Sequence, residues 1–471
     1  MGKGFFFAEN ALGALLRARP ARVLSYGGDK NYGASAAARA PTEAELETQS
    51  NEAFPFSPRF FVMLDAAAET SVFPHTLNSL KAQSYRNFSF GSDPRGEDYD
   101  YLLYISGGDM LAPDALYRFA RAINENARPD MLYADEDVKG SDGARHAPQH
   151  KPDFNEITLL SFNCIGRPLA VRRAVCGRYG DPPSPRADGE YAYALRCAAK
   201  SKTIVHIPRV LYSRRVHPPE ADPGLGQAAI GAYLKEKRMG GCAVEGLYEG
   251  SFRTAAVPGG EPPVAVIIAS TGALAPLRRL LESLEENTAY GNYCVAVADM
   301  GHSGPRLQTY LKLLQKNGAA TVVSCAGLSP AGAYNAAARA RKAEALLFLR
   351  ENAEIISPFW LDALLEQLFR RGVGAVGGKL VTEDGCIAFG PCRGETDDAN
   401  DAVKNRAINA IRGVSALGGG CFMVRRKAFF RAGGFSEADG EGAADALCER
   451  LARRGLSLVY TPFCRVRWHE P

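Results

Sequence analysis

Four stretches of this 471-residue chain recur, in the same order, in its second half. HTLNSLKAQSYRNFSFGSD (75–93) corresponds to RRLLESLEENTAYGNYCVAVAD (278–299): an amphipathic helix, a short turn, then a strand ending in Asp. YLLYISGGDMLAPDALYRFARAI (101–123) matches ALLFLRENAEIISPFWLDALLEQL (345–368). PLAVRRAVCGRYG (168–180) matches CFMVRRKAFFRAGGF (421–435), and IVHIPRVLYSRRVH (204–217) matches LVYTPFCRVRWHEP (458–471). Ordered matches of this kind mean two copies of one domain, in keeping with a length too great for a single core.

The spacing of the matches carries more information than the matches themselves. Leu80 and Leu284 are 204 residues apart, but Leu102 and Leu346 are 244 apart, and Pro208 and Pro462 are 254 apart. The first copy therefore lacks 40 residues that the second has before its LLFL strand. That extra stretch reads as a helix (RLQTYLKLLQKNG), a strand (ATVVSC) and a second helix (SPAGAYNAAARARKA). Apolar strands alternating with amphipathic helices predict a mostly parallel sheet covered on both faces. Such sheets bind ligands at the carboxyl ends of their strands, and the first copy has lost part of that half. The expected organisation is an extension and linker over 1–55, a truncated and inactive domain over 56–250, and a complete domain over 258–471, set off by PGGEPP (258–263).

Composition excludes several classes. Fifty-six basic residues stand against 52 acidic ones, and no basic run carries interleaved aromatics, so nucleic acid is not an expected partner. Eleven cysteines lie singly with no CxxC pair, which argues against zinc and redox motifs and for reduced thiols in a cytoplasmic protein. No run of 18 apolar residues exists, so membrane contact is at most peripheral, at the inner face. The opening MGKGFFFAENALGALLRARPARV reads either as a helix docked on its own domain or as an amphipathic surface helix. Gly372, Gly374 and Gly377 spell GxGxxG but follow a helix and precede a strand, the reverse of a dinucleotide fingerprint.

The second copy's NTAYGNYCVAVAD, GVGAVGGKL, VSALGGGCFMVRR and GLSLVYTPF resemble the two-domain glycosyltransferases of family 2, with the GT-A fold. The first copy's LAPDALY, MLYADEDV, HKPDFN, CIGRPLAVRR and IPRVLY, preceded by PTEAELETQ (41–49), resemble the same family. The resemblance spans roughly residues 41 to 471. It implies an α/β protein of two tandem GT-A-like domains that transfers a sugar from a nucleotide sugar to a glycan of a cell-surface polysaccharide. Other glycosyltransferases are implied as further partners.

The chemistry such a protein needs can be laid on this sequence. Sugar transfer leaves an anionic diphosphate, usually neutralised by Mg²⁺ or Mn²⁺ on carboxylates. The family's acidic triplet falls on Arg350-Glu351-Asn352 in copy two, and on Ser106-Gly107-Gly108, followed by Asp109, in copy one. The resemblance assigns Glu351 to the metal, together with His469 near the last strand. Arg350 reads either as a direct phosphate partner or, with Glu351, as a solvated strand end. A carboxylate base is expected at the start of a late helix, where copy one has Glu190 but copy two has Ala444 and Ala446. Asp445 is one residue out of register, and a 100° helical step should turn it away from the site, so Glu441 in EADGEGAAD is the alternative. Asp299, Ser270, Thr271, Asn335 and Lys379 are the expected nucleotide-side residues, with capping or surface solvation as the plainer reading of each. These departures leave two functions open: a transferase with eroded motifs, or a catalytically inactive homologue that scaffolds or regulates a partner enzyme.

Overall fold

The computed structural model describes residues 32–65, 73–140, 143–176, 189–215, 223–256, 260–389 and 408–470. The amphipathic opening segment lies outside them. The chain divides into two compact units, one reaching Met239 and taking in Ala243–Arg253, the other running from Thr254 onward.

The first unit contains β1 (Phe60–Asp65), α1 (Phe73–Lys81), β2 (Phe88–Gly91), β3 (Tyr101–Ser106), β4 (Met110–Leu111) and α2 (Ala115–Glu125). It continues through β5 (Met131–Lys139), β6 (Arg145–Gln149), β7 (Leu169–Arg172), α3 (Glu190–Lys200) and β8 (Ile204–Arg214). The strands order as β2-β1-β3-β7-β5-β8-β4, with β6 alongside β5. Two short strands, β9 (Cys242–Glu245) and β10 (Phe252–Ala255), lie in the segment that follows.

The second unit runs β11 (Val264–Ser270), α4 (Leu274–Glu286), β12 (Tyr293–Asp299), α5 (Pro305–Lys316), β13 (Thr321–Ser324), α6 (Pro330–Ala340) and β14 (Ala345–Arg350). Next come β15 (Ala353–Ile355), α7 (Trp360–Leu368), β16 (Val373–Val381), β17 (Ile387–Phe389), β18 (Arg412–Val414) and β19 (Cys421–Arg425). The last elements are α8 (Arg426–Arg431), α9 (Ala443–Ala452) and β20 (Ser457–Trp468). Its order is β13-β12-β11-β14-β19-β16-β20-β15. Removing β13 leaves the first unit's order strand for strand, and no element separates β2 from β3 where α5, β13 and α6 would stand. The expected fold class, two α/β units with the first truncated, is the one observed.

Physical causes for this layout are local. VAVIIAS is buried at every position, with parallel neighbours on both its edges and the small residues of α6 in the core formed by Ala265 and Ile267. The helix α6 starts where Ser329 accepts the Gly332 N–H at 3.1 Å and Pro330 occupies the first turn. Its small residues Ala333, Ala337 and Ala338 are buried in the core that also holds Ala265, Ile267, Ala296 and Ala298, so helix and sheet approach closely. Gly372, with φ +80°, joins α7 to β16, and Gly374 and Gly377 lie in that strand, so the glycine triplet is a helix-to-strand connection. No helix among the described residues is long and apolar enough to cross a membrane.

Candidate functional site

Register brings the candidate residues of the second unit to one sheet edge. Ser270 pairs with Asp299 across β11 and β12, and Ala269 pairs with Arg350 across β11 and β14. The carboxyl ends of these three parallel strands therefore present Thr271, Asp299, Arg350 and Glu351 side by side, which is where an open α/β sheet holds its ligands.

Each of these groups has a definite task. The Glu351 carboxylate accepts the Thr271 N–H, at 3.2 Å to Oε2, and the Thr271 hydroxyl on Oε1. It is 5% exposed, so its charge is matched by two donors of the β11 loop. Asp299 accepts the Gly301 N–H at 3.0 Å and the Ser303 hydroxyl at 2.8 Å through one oxygen, shaping the loop after β12. Ser270 is buried at the same edge, and its hydroxyl finds no partner among the described residues.

The Arg350 side chain is exposed, whereas Glu351 next to it is buried. A methyl placed on Gly419 would touch Arg350 Nη2 at 3.5 Å and Ala444 Cβ at 3.6 Å, so the guanidinium and the first turn of α9 share that space. Tyr334 of α6 completes the group and is the residue the sequence reading missed. Burial pushes its hydroxyl up to about 12, with the Arg350 charge opposing and the Glu351 charge adding to the shift. Its ring packs edge-on against Phe348, at 5.5 Å between centroids. The available signal was one large side chain in the otherwise small run PAGAYNAAARA.

Other expectations are corrected by the partners these residues take. Asn335 donates to the Phe435 carbonyl at 2.8 Å and accepts the Phe435 N–H at 3.0 Å, so it clamps the loop after α8 rather than facing a nucleotide. Lys379 is buried in β16, with Nζ 3.1 Å from Asn409 Oδ1. His469 contacts Glu354 at 2.6 Å and Glu383 at 3.5 Å, not Glu351. Asp445 is exposed on α9, while Ala444 is buried and, like Arg350, borders the space over Gly419. Glu441 belongs to the 3₁₀ turn Glu437–Gly442 that leads into α9, and its side chain lies outside the described part.

In the first unit Glu190 is a locked group rather than a base. Arg214 grips it through two nitrogens at 2.9 and 2.8 Å, and Arg167 reaches it at 2.9 Å. Burial alone would raise its carboxyl, but Arg214, Arg167 and Lys151 overcome that and hold it at about 2. Arg214 also binds Glu136 at 2.5 Å, and Lys151 lies 3.5 Å from Glu136. Asp109 accepts the Tyr212 hydroxyl at 2.6 Å and the Arg215 N–H at 2.9 Å. The strand ends of this unit are thus filled by their own acids and cations.

The residues present do not fit the metal that the resemblance implies. Glu351 already serves two donors, His469 is held by two other carboxylates, and the residue that closes the strand before Glu351 is a cation, Arg350. Among the described residues no three His, Cys, Asp or Glu side chains are grouped so as to hold a metal ion.

No known protein-family model matches the sequence. The chain is 28% identical over 393 residues to the O-antigen biosynthesis protein RfbC of Myxococcus xanthus, covering 79% of this chain and 31% of that protein. It is 27% identical over 398 residues to the uncharacterized protein y4gI of Sinorhizobium fredii, covering 79% and 44% respectively. The chain thus spans less than half the length of these curated relatives. Among solved structures it is similar to a mannosyltransferase from Pyrobaculum calidifontis in complex with GDP-Man and Mn²⁺, with TM-score 0.37 and 20% identity over 45% of this chain and 59% of that one. It is also similar to GalNAc-T7 with UDP, GalNAc and Mn²⁺, with TM-score 0.35 and 17% identity over 44% and 43%. The strand order above, not these alignments, defines the fold.

Proposed function

We propose that this chain is a glycosyltransferase of the family 2 type, whose second unit transfers a sugar from a nucleotide donor to a glycan of a cell-surface polysaccharide. The observation that supports this most is the sheet edge of the complete unit, where Thr271, Asp299 and Arg350 adjoin in register at the carboxyl ends of β11, β12 and β14. The likeness to an O-antigen biosynthesis protein over most of the chain points to the same class of product.

In this reading Asp299 and the β11 loop hold the nucleotide and Arg350 meets the diphosphate. The acceptor oxygen bonds to the anomeric carbon from the face opposite the leaving group. The bond from that carbon to the diphosphate oxygen breaks with its electron pair on oxygen, and a carboxylate, Glu441, takes the hydroxyl proton. The configuration inverts. Calorimetric titration with UDP-, GDP- and dTDP-sugars, with and without Mn²⁺, tests the reading; no binding of any donor under either condition would sink it.

A second reading, a catalytically inactive homologue that scaffolds a partner enzyme, is favoured by Ala444 standing where a base is expected and by Glu351 being tied to Thr271. It expects no nucleoside diphosphate to be released from any donor in the presence of any glycan acceptor.

A further inference from the structure

The donor chemistry of this class ends with negative charge on a departing diphosphate, and something positive must meet it. In this chain the group at the central strand end is a guanidinium. Arg350 closes β14 in register with the end of β11, its side chain is exposed, and it lies over Gly419 beside the first turn of α9. The carboxylate that follows it is committed elsewhere, Glu351 to the Thr271 N–H and hydroxyl. On the α9 side Ala444 borders the same space over Gly419. Tyr334 of α6, whose ring packs edge-on against Phe348 of β14 at 5.5 Å, adds a neutral hydroxyl near that strand.

We infer that the second unit holds the diphosphate of its donor through Arg350, with Tyr334 beside it, and needs no divalent cation to do so. The inference rests on the transferase reading above. It follows from donor atoms already in use and from a fixed cation at the strand end. A guanidinium suits the task because its planar fork pairs two N–H groups with two phosphate oxygens, and it stays charged at any working pH. In the step itself Arg350 forms and breaks no covalent bond. It pairs with the oxygen that receives the electron pair of the broken sugar–phosphate bond, while the acceptor proton goes to the carboxylate base.

The test is binding of UDP, GDP and dTDP to the full chain, by calorimetry, in EDTA and again in Mn²⁺. For at least one nucleotide the affinity in EDTA should lie within about twofold of that in Mn²⁺. Arg350→Gln should then weaken it by more than about tenfold, with circular dichroism confirming the fold. Arg350→Lys keeps the charge but loses the fork, and should give an intermediate loss, again without a Mn²⁺ requirement. Binding abolished by EDTA and restored by Mn²⁺ would overturn the inference while leaving the transferase reading intact. Metal-independent binding that both variants leave unchanged would also overturn it. No binding of any of the three nucleotides, with or without Mn²⁺, would remove both.

Discussion

Thr271 holds Glu351 twice, through its N–H at 3.2 Å and through its hydroxyl, and so ties the loop after β11 to the end of β14. The pair is 80 residues apart in sequence and nearly buried on the Glu351 side. Charge-assisted bonds to a buried carboxylate are worth more than neutral ones, and losing a donor exposes the full desolvation cost of the charge. Thr271→Val should therefore lower the stability of the second unit by about 1–3 kcal/mol in urea unfolding, whereas Thr271→Ser should stay within about 0.5 kcal/mol of the parent. Equal losses in the two variants would show that the hydroxyl contributes nothing.

The Glu190 lattice makes the first unit sensitive to acid. Its carboxyl is depressed from an ordinary 4.5 to about 2 in the folded state. A depressed acid contributes stability that is fully present above its unfolded value and is lost as pH falls through the folded one. The loss should begin near pH 5 and continue towards pH 2, amounting to about 3 kcal/mol for this group. Asp109, raised by burial, works in the opposite direction and blunts the trend. Unfolding of Glu190→Gln followed from pH 7 to pH 2.5 should show a deficit against the parent that shrinks steadily with acid. A deficit independent of pH would assign the loss to packing instead.

Asn335 acts on the loop that leads to α9. Its amide bonds both backbone groups of Phe435, and Arg450 grips the same turn through the Gly434 carbonyl at 2.7 Å and the Ala432 carbonyl at 3.1 Å. Gly434 has φ +70°, and a Cβ there would fall 2.6 Å from Asn335 Oδ1. Asn335→Ala should cost about 1–3 kcal/mol by leaving two buried backbone groups unpaired. Gly434→Ala should cost at least about 1 kcal/mol from the left-handed backbone alone. Thermal unfolding reads both, and a Gly434→Ala variant as stable as the parent would contradict the close approach.

Most of the fold was legible because it is written in spacing. An offset that grows from 204 to 244 says that a block of 40 residues is missing, and the missing block proved to be the counterpart of β13 with α5 and α6. The site was less legible, since a side chain's partner is chosen by the tertiary fold. Nothing local to Asn335 announces Phe435, 100 residues away, and nothing near His469 announces Glu354 rather than Glu351. At the start of α9 the structure shows Ala444 buried and Asp445 exposed, one helical step apart.

That step decides the last prediction. A Cβ placed on Gly419 would meet Ala444 and Arg350, and Asp445 is exposed at the start of α9. A base must come within hydrogen-bonding reach of the acceptor hydroxyl, and the transferase reading gives that task to Glu441 rather than Asp445. The remaining candidate on this side is Glu441, in the turn Glu437–Gly442 that feeds the helix. In the transferase reading, Asp445→Asn should keep kcat/KM within about threefold of the parent, while Glu441→Gln should lower it by about 100-fold or more. Donor binding, measured separately by calorimetry, should be unchanged in both, because proton transfer from the acceptor is not a donor contact. A large loss in Asp445→Asn with a silent Glu441→Gln would mean that α9 starts differently when the acceptor is bound.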